Sequence, residues 1–323
     1  MAAIIDVIGV VSGLLGILQF GMDNFGSQDT GGSVVRVKVG LDQDGGLSNA
    51  GGNVPDIRLF NEVGDFLGAH YDPGSITDGT DVDVTVSQTE EQQATYALFS
   101  ANDNAVCIAY VSITWPDGQK YGWEGDWGKQ CGATWYYSNV IIDGQKPACI
   151  WIDANGDQPV TGFQVHFPEF VTSDGSFPHD ASYYCNNGPP FSLYYNPDPN
   201  TINYWVQQKS KRTPGMSGSV ASHPRRSVLP RGPAASNDTR LVVSNDPSQP
   251  VSQLCEDGLS VGPDFVNLAE GQFCQMSTKT VYPVCSDTIT DGCFNVAASA
   301  LVVGGVTTRD AYSNVIDWSD GSS

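Results

Sequence analysis

Turn-forming clusters break this chain at short intervals through its first half, and that punctuation confines it to short, mostly extended elements. Breaks fall at Gly26–Ser33, Asp44-Gly45-Gly46, Asp72-Pro73-Gly74, Asn102-Asp103-Asn104, Pro116-Asp117-Gly118 and Asn155-Gly156-Asp157. The runs between them are rich in β-branched and aromatic residues: Val34–Val39, Asp56–Phe60, Val82–Val86, Ala94–Ser100, Ala105–Thr114, Ala133–Asp143, Ala148–Asp153 and Thr161–Phe167. In the first run valines alternate with Arg36 and Lys38, the pattern of a half-buried strand. No regular alternation of strand with helix appears, which disfavours a nucleotide-binding α/β fold. The expected class is mainly β, an antiparallel β-sandwich or barrel.

The first twenty residues carry one charge, Asp6, and no Lys or Arg. Read as a helix over 1–25, they place Ile4, Val7, Val11, Leu14, Leu15 and Leu18 on one face. Gly9, Ser12, Gly13 and Gly16 lie on the other, a small, smooth face suited to close contact with lipid or with a second copy. A basic leader and a small-x-small cleavage site are missing, so the reading is a retained helix, a membrane-active segment or an atypical signal.

Acidic residues outnumber basic ones 36 to 15, for a formal charge of -21. Such a chain repels phosphate backbones, so nucleic acid is excluded as a partner. The eight cysteines split into Cys107, Cys131, Cys149 and Cys185, then Cys255, Cys274, Cys285 and Cys293. With no CxxC pair and no histidine at ligand spacing they read as disulfides, in two separately stapled groups, with pairing inside each group open. The implied location is secreted or cell-surface.

Between the groups, residues 209–252 are rich in Pro, Gly and Ser and hold Lys211-Arg212 and Arg225-Arg226. This stretch reads as a solvated linker with cleavage expected after Arg212 or Arg226. The organisation predicted is therefore a helix over 1–25, a β-sandwich over 26–208, the linker, and a small cysteine-rich module over 253–323.

The runs DIRLFNEVGDFLG, ALFSANDNAVCIAYVSITWPDGQKYGWEGDWGKQCGATWYYSN and WIDANGDQPVTGFQVHFPEF resemble the front half of uncharacterised secreted proteins of filamentous fungi. The tail GPDFVNLAEGQFCQMSTKTVYPVCSDTITDGCF looks like a small module attached to several of them. This resemblance implies fungal origin and secretion and carries over no catalytic residue. A second resemblance, in element order and not in motif, is to actinoporin-type pore formers: an amphipathic helix, a strand with an acidic turn (VVRVKVGLDQDGG), then an aromatic-rich sandwich.

Chemistry-bearing residues concentrate in one segment. Trp115, Trp123, Trp127, Trp135, Tyr136 and Tyr137 surround Asp117, Glu124 and Asp126. Exposed, these rings would be stacking platforms for sugars; buried, they are core. Glu124 with Asp126 is a candidate carboxylate pair for glycoside hydrolysis. Asp153, Asn155 and Asp157 alternate like calcium ligands, but Gln158 and Gln164 occupy positions that an EF-hand gives to Gly and Glu, which favours a tight turn. None of His70, His166, His179 and His223 sits in a catalytic signature, and no cofactor is implied.

The leading expectation is a non-enzymatic surface-acting protein that associates with membrane lipid, or forms pores, through its N-terminal segment, with self-association through the small face. The alternatives are a protein that binds wall polysaccharide and a carbohydrate-active hydrolase.

Overall fold

The computed structural model describes residues 7–10, 17–20, 22–29, 31–40, 50–171, 179–205, 239–307 and 312–319, with backbone alone for 7–10, 17–20 and 22. The front strands are β1 (Val7–Val10), β2 (Ile17–Phe20), β3 (Gly32–Val39), β4 (Gly52–Asn53), β5 (Asp56–Phe60), β6 (Phe66–His70), β7 (Ser75–Ile76), β8 (Asp81–Ser87), β9 (Tyr96–Ser100) and β10 (Val106–Thr114). They continue as β11 (Lys120–Glu124), β12 (Trp135–Tyr136), β13 (Cys149–Ile152), β14 (Gly162–His166) and β15 (Phe191–Tyr194). Two short helices, α1 (Gly125–Gln130) and α2 (Ala181–Tyr184), interrupt them.

Two open antiparallel sheets result. One has the order β12-β13-β10-β3-β8, with β11 hydrogen-bonded to β10, and the other the order β15-β14-β9-β5-β6. Strand alternation puts Val35, Val37, Ile57, Leu59, Ala97, Phe99, Phe163 and Val165 into one buried core. Trp123 of the first sheet stacks on Phe163 and Phe191 of the second, at 4.9 and 5.3 Å between ring centres, so the sheets are packed face to face. Arg36 and Lys38 point outward, as the alternation predicts, and pair with Asp83 and Asp81 of β8 at 2.7 and 3.2 Å.

The second sheet also has a covered outer face. Residues 195–205 cross it as a strap that supplies backbone partners for polar groups in the sheet. Pro199 O accepts from Ser100 Oγ at 2.6 Å, and Asn203 O accepts from Gln164 Nε2 at 2.9 Å. Those carbonyls complete the hydrogen bonding of the buried side chains, to which Pro189 O and Arg58 also contribute.

The helix expected over 1–25 is corrected where the chain is described. Val7–Val10 and Ile17–Phe20 pair antiparallel, with Val7 opposite Phe20, and the backbone of β1 runs beside β11. Isoleucines, valines and glycines are weak helix formers, which a one-sided apolar pattern does not reveal. Ser12, Gly13 and Gly16 lie outside the described residues, and Gly9 falls within β1.

A second correction concerns the linker. Arg212 and Arg226 lie outside the described residues, but the expected linker ends in structure: β16 (Arg240–Ser244) and the start of α3 (Val251–Glu256). Leu241, Val242 and Val243 are a short β-branched run inside a polar stretch, and all three are buried. Beyond it come β17 (Asp264–Asn267), β18 (Gln272–Gln275), β19 (Thr280–Pro283), β20 (Cys293–Asn295), β21 (Ala300–Val303), β22 (Val306–Thr307) and β23 (Asn314–Asp317). β16 lies between β17 and β23, parallel to both, in a mixed sheet of order β19-β18-β17-β16-β23.

All eight cysteines are paired, each within its own group: Cys107–Cys149, Cys131–Cys185, Cys255–Cys274 and Cys285–Cys293. Four disulfides are the signature of an oxidising, extracellular-type compartment. Among the described residues no helix is long and apolar enough to cross a membrane.

Candidate functional site

The aromatic segment is structural. Trp115, Trp123, Trp127, Trp135, Tyr136 and Tyr137 are all buried, which corrects the stacking-platform reading. β11 ends at Glu124, where α1 begins, and Trp127 turns onto Phe170 and Tyr184. Trp135, Tyr136 and Tyr137 glue the C-terminal region to the sandwich. Trp135 Nε1 donates to Asp257 at 2.7 Å, while the Tyr136 and Tyr137 hydroxyls donate to the carbonyls of Pro263 and Pro250 at 3.0 and 2.8 Å. Lys129 Nζ stands 3.9 Å from the centre of the Trp135 ring.

Glu124 and Asp126 are buried with them, so the carboxylate pair expected for hydrolysis has no substrate access. Neither Glu124 oxygen has a hydrogen-bond partner among the described residues. Burial, with Asp126 nearby, pushes its carboxyl well above the ordinary range. Asp126 is pushed up to about 6 by burial, opposed by Lys129 and by the Ala148 amide. The Asp153 loop is a turn: Asp153 Oδ2 accepts from the amides of Gly156 and Asp157 at 2.7 and 2.6 Å, and Asn155 Oδ1 from Asp157 at 3.2 Å. Backbone amides take up Asp153 Oδ2 and Asn155 Oδ1, and among the described residues no cluster of three His, Cys, Asp or Glu is placed to hold a metal ion.

A different constellation forms at one end of the strapped sheet. Register aligns Phe60, Tyr96 and His166 across β5, β9 and β14, on the face opposite the core. The His166 ring stacks on Tyr96 at 4.1 Å. Its Nε2 lies 2.8 Å from Glu62 Oε2, in the turn after β5, and its Nδ1 lies 3.7 Å from Glu169 Oε1, in the 3-10 turn after β14. Trp205, at the end of the strap, donates through Nε1 to Glu169 at 3.2 Å, and the Tyr183 hydroxyl reaches both Glu169 oxygens at 3.3 Å.

Burial works against a charged imidazole here, but Glu169 and Glu62 outweigh it and hold His166 above its ordinary value. His166 in return holds Glu62 below the usual carboxylate range, against partial burial. Burial also opposes ionisation of Glu169, yet His166, Trp205 and Tyr183 keep it low. The trio is thus two carboxylates around one cation.

Beside the trio opens a groove of about 280 Å³ lined by Asn61, Glu62, Val63, Gln92, Gln93 and Thr95. Its walls are two sheet connections, Asn61–Asp65 between β5 and β6 and the loop before β9. Gly64 is held at φ +85°, and a Cβ there would stand 2.6 Å from the Tyr204 ring, so only glycine lets the strap close over this turn. The Glu62 side chain remains 55% exposed and faces the groove.

Sequence reasoning missed this site. It offered one usable signal, the alternation in Phe163-Gln164-Val165-His166, which sends His166 to the side away from Val165. Nothing local links His166 to Glu62, 104 residues earlier in the chain.

No family model matches the chain, and no curated protein is similar to it. Among solved structures it is similar to crystal structures of LOX deletion variants. The one described as an anaerobic complex with arachidonate is 16% identical, with 38% of this chain and 16% of that chain covered and a TM-score of 0.22. A further variant gives 15% identity over the same shares and a TM-score of 0.23. The match thus spans a small part of those chains.

Proposed function

We propose that this is an extracellular, non-enzymatic glycan-binding protein whose site is the groove beside Glu62. The observation that carries the reading is the lining: a carboxylate, three carboxamides and a hydroxyl converge on one opening and are held by sheet connections, not by a free loop. Planar amide and carboxylate groups are the side chains that match sugar hydroxyls, and Val63 supplies an apolar patch for a sugar face. Four disulfides suit exposure outside the cell, and the charge of -21 suits a polyol better than a polyanion.

The membrane-associating reading draws on residues 2–20 alone, where the described backbone is an extended pair beside β11. The polysaccharide reading therefore moves ahead, on a different surface from the aromatic segment. The test is calorimetric titration with neutral, acetamido, amino and uronic oligosaccharides. At least one should bind, and Gln93→Ala should weaken it by ~5- to 10-fold, about one lost hydrogen bond. An absence of binding to all four classes would overturn the reading.

A further inference from the structure

The groove's polar atoms are not evenly divided between donors and acceptors. Asn61 Nδ2 is engaged by Gln92 Oε1 at 2.9 Å and Asp65 Oδ2 at 3.3 Å. Gln92 Nε2 donates to Glu90 Oε2, and Gln93 Nε2 donates to Asp117 Oδ2 at 2.8 Å. Both N–H groups of Asn61 and one each of Gln92 and Gln93 are thus taken by neighbouring side-chain acceptors. Left for a ligand are one N–H on each of Gln92 and Gln93 against a larger set of acceptors: the Glu62 oxygen not bonded to His166, Gln93 Oε1, and a spare lone pair on Gln92 Oε1.

A second observation is independent of that count. Thr95 lines the same groove, is only 8% exposed, and its hydroxyl makes no well-formed hydrogen bond among the described residues. It lies close enough to Glu62 to favour the carboxylate, but without bonding geometry. A buried hydroxyl without a partner at the edge of an opening is a group awaiting one.

Charge points the same way. Glu62 and Glu169 face one cation, His166, and Glu90, Asp65 and Asp117 hold the surrounding amides. No Lys or Arg is among the described residues that line the groove. An acceptor-rich, anionic opening rejects carboxylates and sulfates and gains most from a ligand that brings donors and positive charge.

We infer that the groove selects a sugar bearing a free ammonium group, an amino sugar, with the ammonium on Glu62 and ring hydroxyls on Gln93 and Thr95. This rests on the glycan-binding reading and names its ligand class. The Glu62 carboxylate is preset by His166, so a charge-assisted hydrogen bond forms without reorganising the site.

The test is titration at pH 5.5, where amines carry their protons, with short oligomers of equal length: glucosamine, N-acetylglucosamine and a uronic acid. Wild-type protein should bind the glucosamine oligomer ~10-fold more tightly than its acetylated counterpart, since charged hydrogen bonds contribute about twice what neutral ones do. In Glu62→Gln that ratio should fall to near one, and in Thr95→Val both affinities should drop. Thermal melts establish that the variants are folded, Glu62 being half exposed. Equal affinities for the amino and acetylated oligomers in wild type would overturn the amino-sugar inference and leave the glycan reading standing. A preference that survives Glu62→Gln would trace to the net charge of the protein and overturn it as well. Failure of all three oligomers to bind would overturn the amino-sugar inference, and failure of a neutral oligosaccharide as well would remove the glycan reading with it.

Discussion

Glu124 and Glu62 are each placed by the end of a strand, on opposite sheets of one sandwich, with aromatic rings close by. Their surroundings differ in what reaches the carboxylate. Around Glu124 there are Trp123, Trp127 and α1, no hydrogen-bond donor to either oxygen among the described residues, and a second acid, Asp126. Around Glu62 there are an imidazole at 2.8 Å, a groove and water. The same functional group is pushed toward its neutral form in one place and toward its ionised form in the other. Dense aromatic and acidic composition marks a core that has swallowed its charges, whereas the candidate site lies where the sequence is plain, in Asn61-Glu62-Val63 and Gln92-Gln93.

The sharpest way to break the contrast is to empty the aromatic side. Trp123→Ala and Trp127→Ala remove fully buried rings and should each cost ~3–5 kcal/mol by denaturant titration, a fall in Tm of roughly 10 °C. The folded fraction should bind oligosaccharide as wild type does, while Gln93→Ala should show the reverse pattern. Stable tryptophan variants that lose binding would reassign the site to the aromatic segment.

How much of this was legible follows from range. Local alternation and turn chemistry located most of the expected strands, from Val34–Val39 to the run ending at Phe167, but the run Ala133–Asp143 keeps only Trp135–Tyr136 as strand and β6, β11 and β15 were missed. The cysteine split matched the pairing by groups. Burial of Trp115 to Tyr137 was not legible, because a short amphipathic strand looks the same whether its second face meets water or a neighbouring segment such as Leu259–Pro263. The N-terminal pattern was read at a helical period although its β-branched and glycine content favours extension. The Glu62, His166 and Glu169 trio is a product of register across three strands, and no sequence window contains it.

A middle-sized effect tests the neutral carboxyl. Glu124 has a folded-state pKa above its unfolded value, so its protonated form belongs to the native state. Its contribution is therefore intact at pH below ~4.5 and is lost as pH rises toward the folded value. Asp126, pushed up to about 6, adds the same trend across pH 4 to 6. Glu124→Gln keeps the shape and removes the ionisation, so it should raise stability at pH 7 by ~1–2 kcal/mol, about 2–5 °C in Tm, and have little effect at pH 4. A destabilised variant at pH 7 would mean that the carboxylate has a cationic partner in solution, and Glu124 would then resemble Glu62.

The smallest effect is on the other sheet, where the two carboxylates have the opposite sign in pH and the imidazole the same sign. His166, held above its ordinary 6.5, contributes stability that is complete below that value and is lost as pH rises through the raised one. Glu62 and Glu169, held below their ordinary 4.5, contribute stability that is complete above that value and is lost as pH falls through the lowered ones. The trio is therefore fully effective between about pH 4.5 and 6.5, where all three groups are charged. Because Glu62 is half exposed and screened by solvent, its loss is discounted to ~1 kcal/mol. His166→Gln should accordingly lose about that much at pH 5.5 and progressively less toward pH 8 and toward pH 3.5, in denaturant titrations run across the range. A deficit equal at every pH would assign His166 to packing on Tyr96 alone, and Glu62 would lose the preset charge on which its contrast with Glu124 depends.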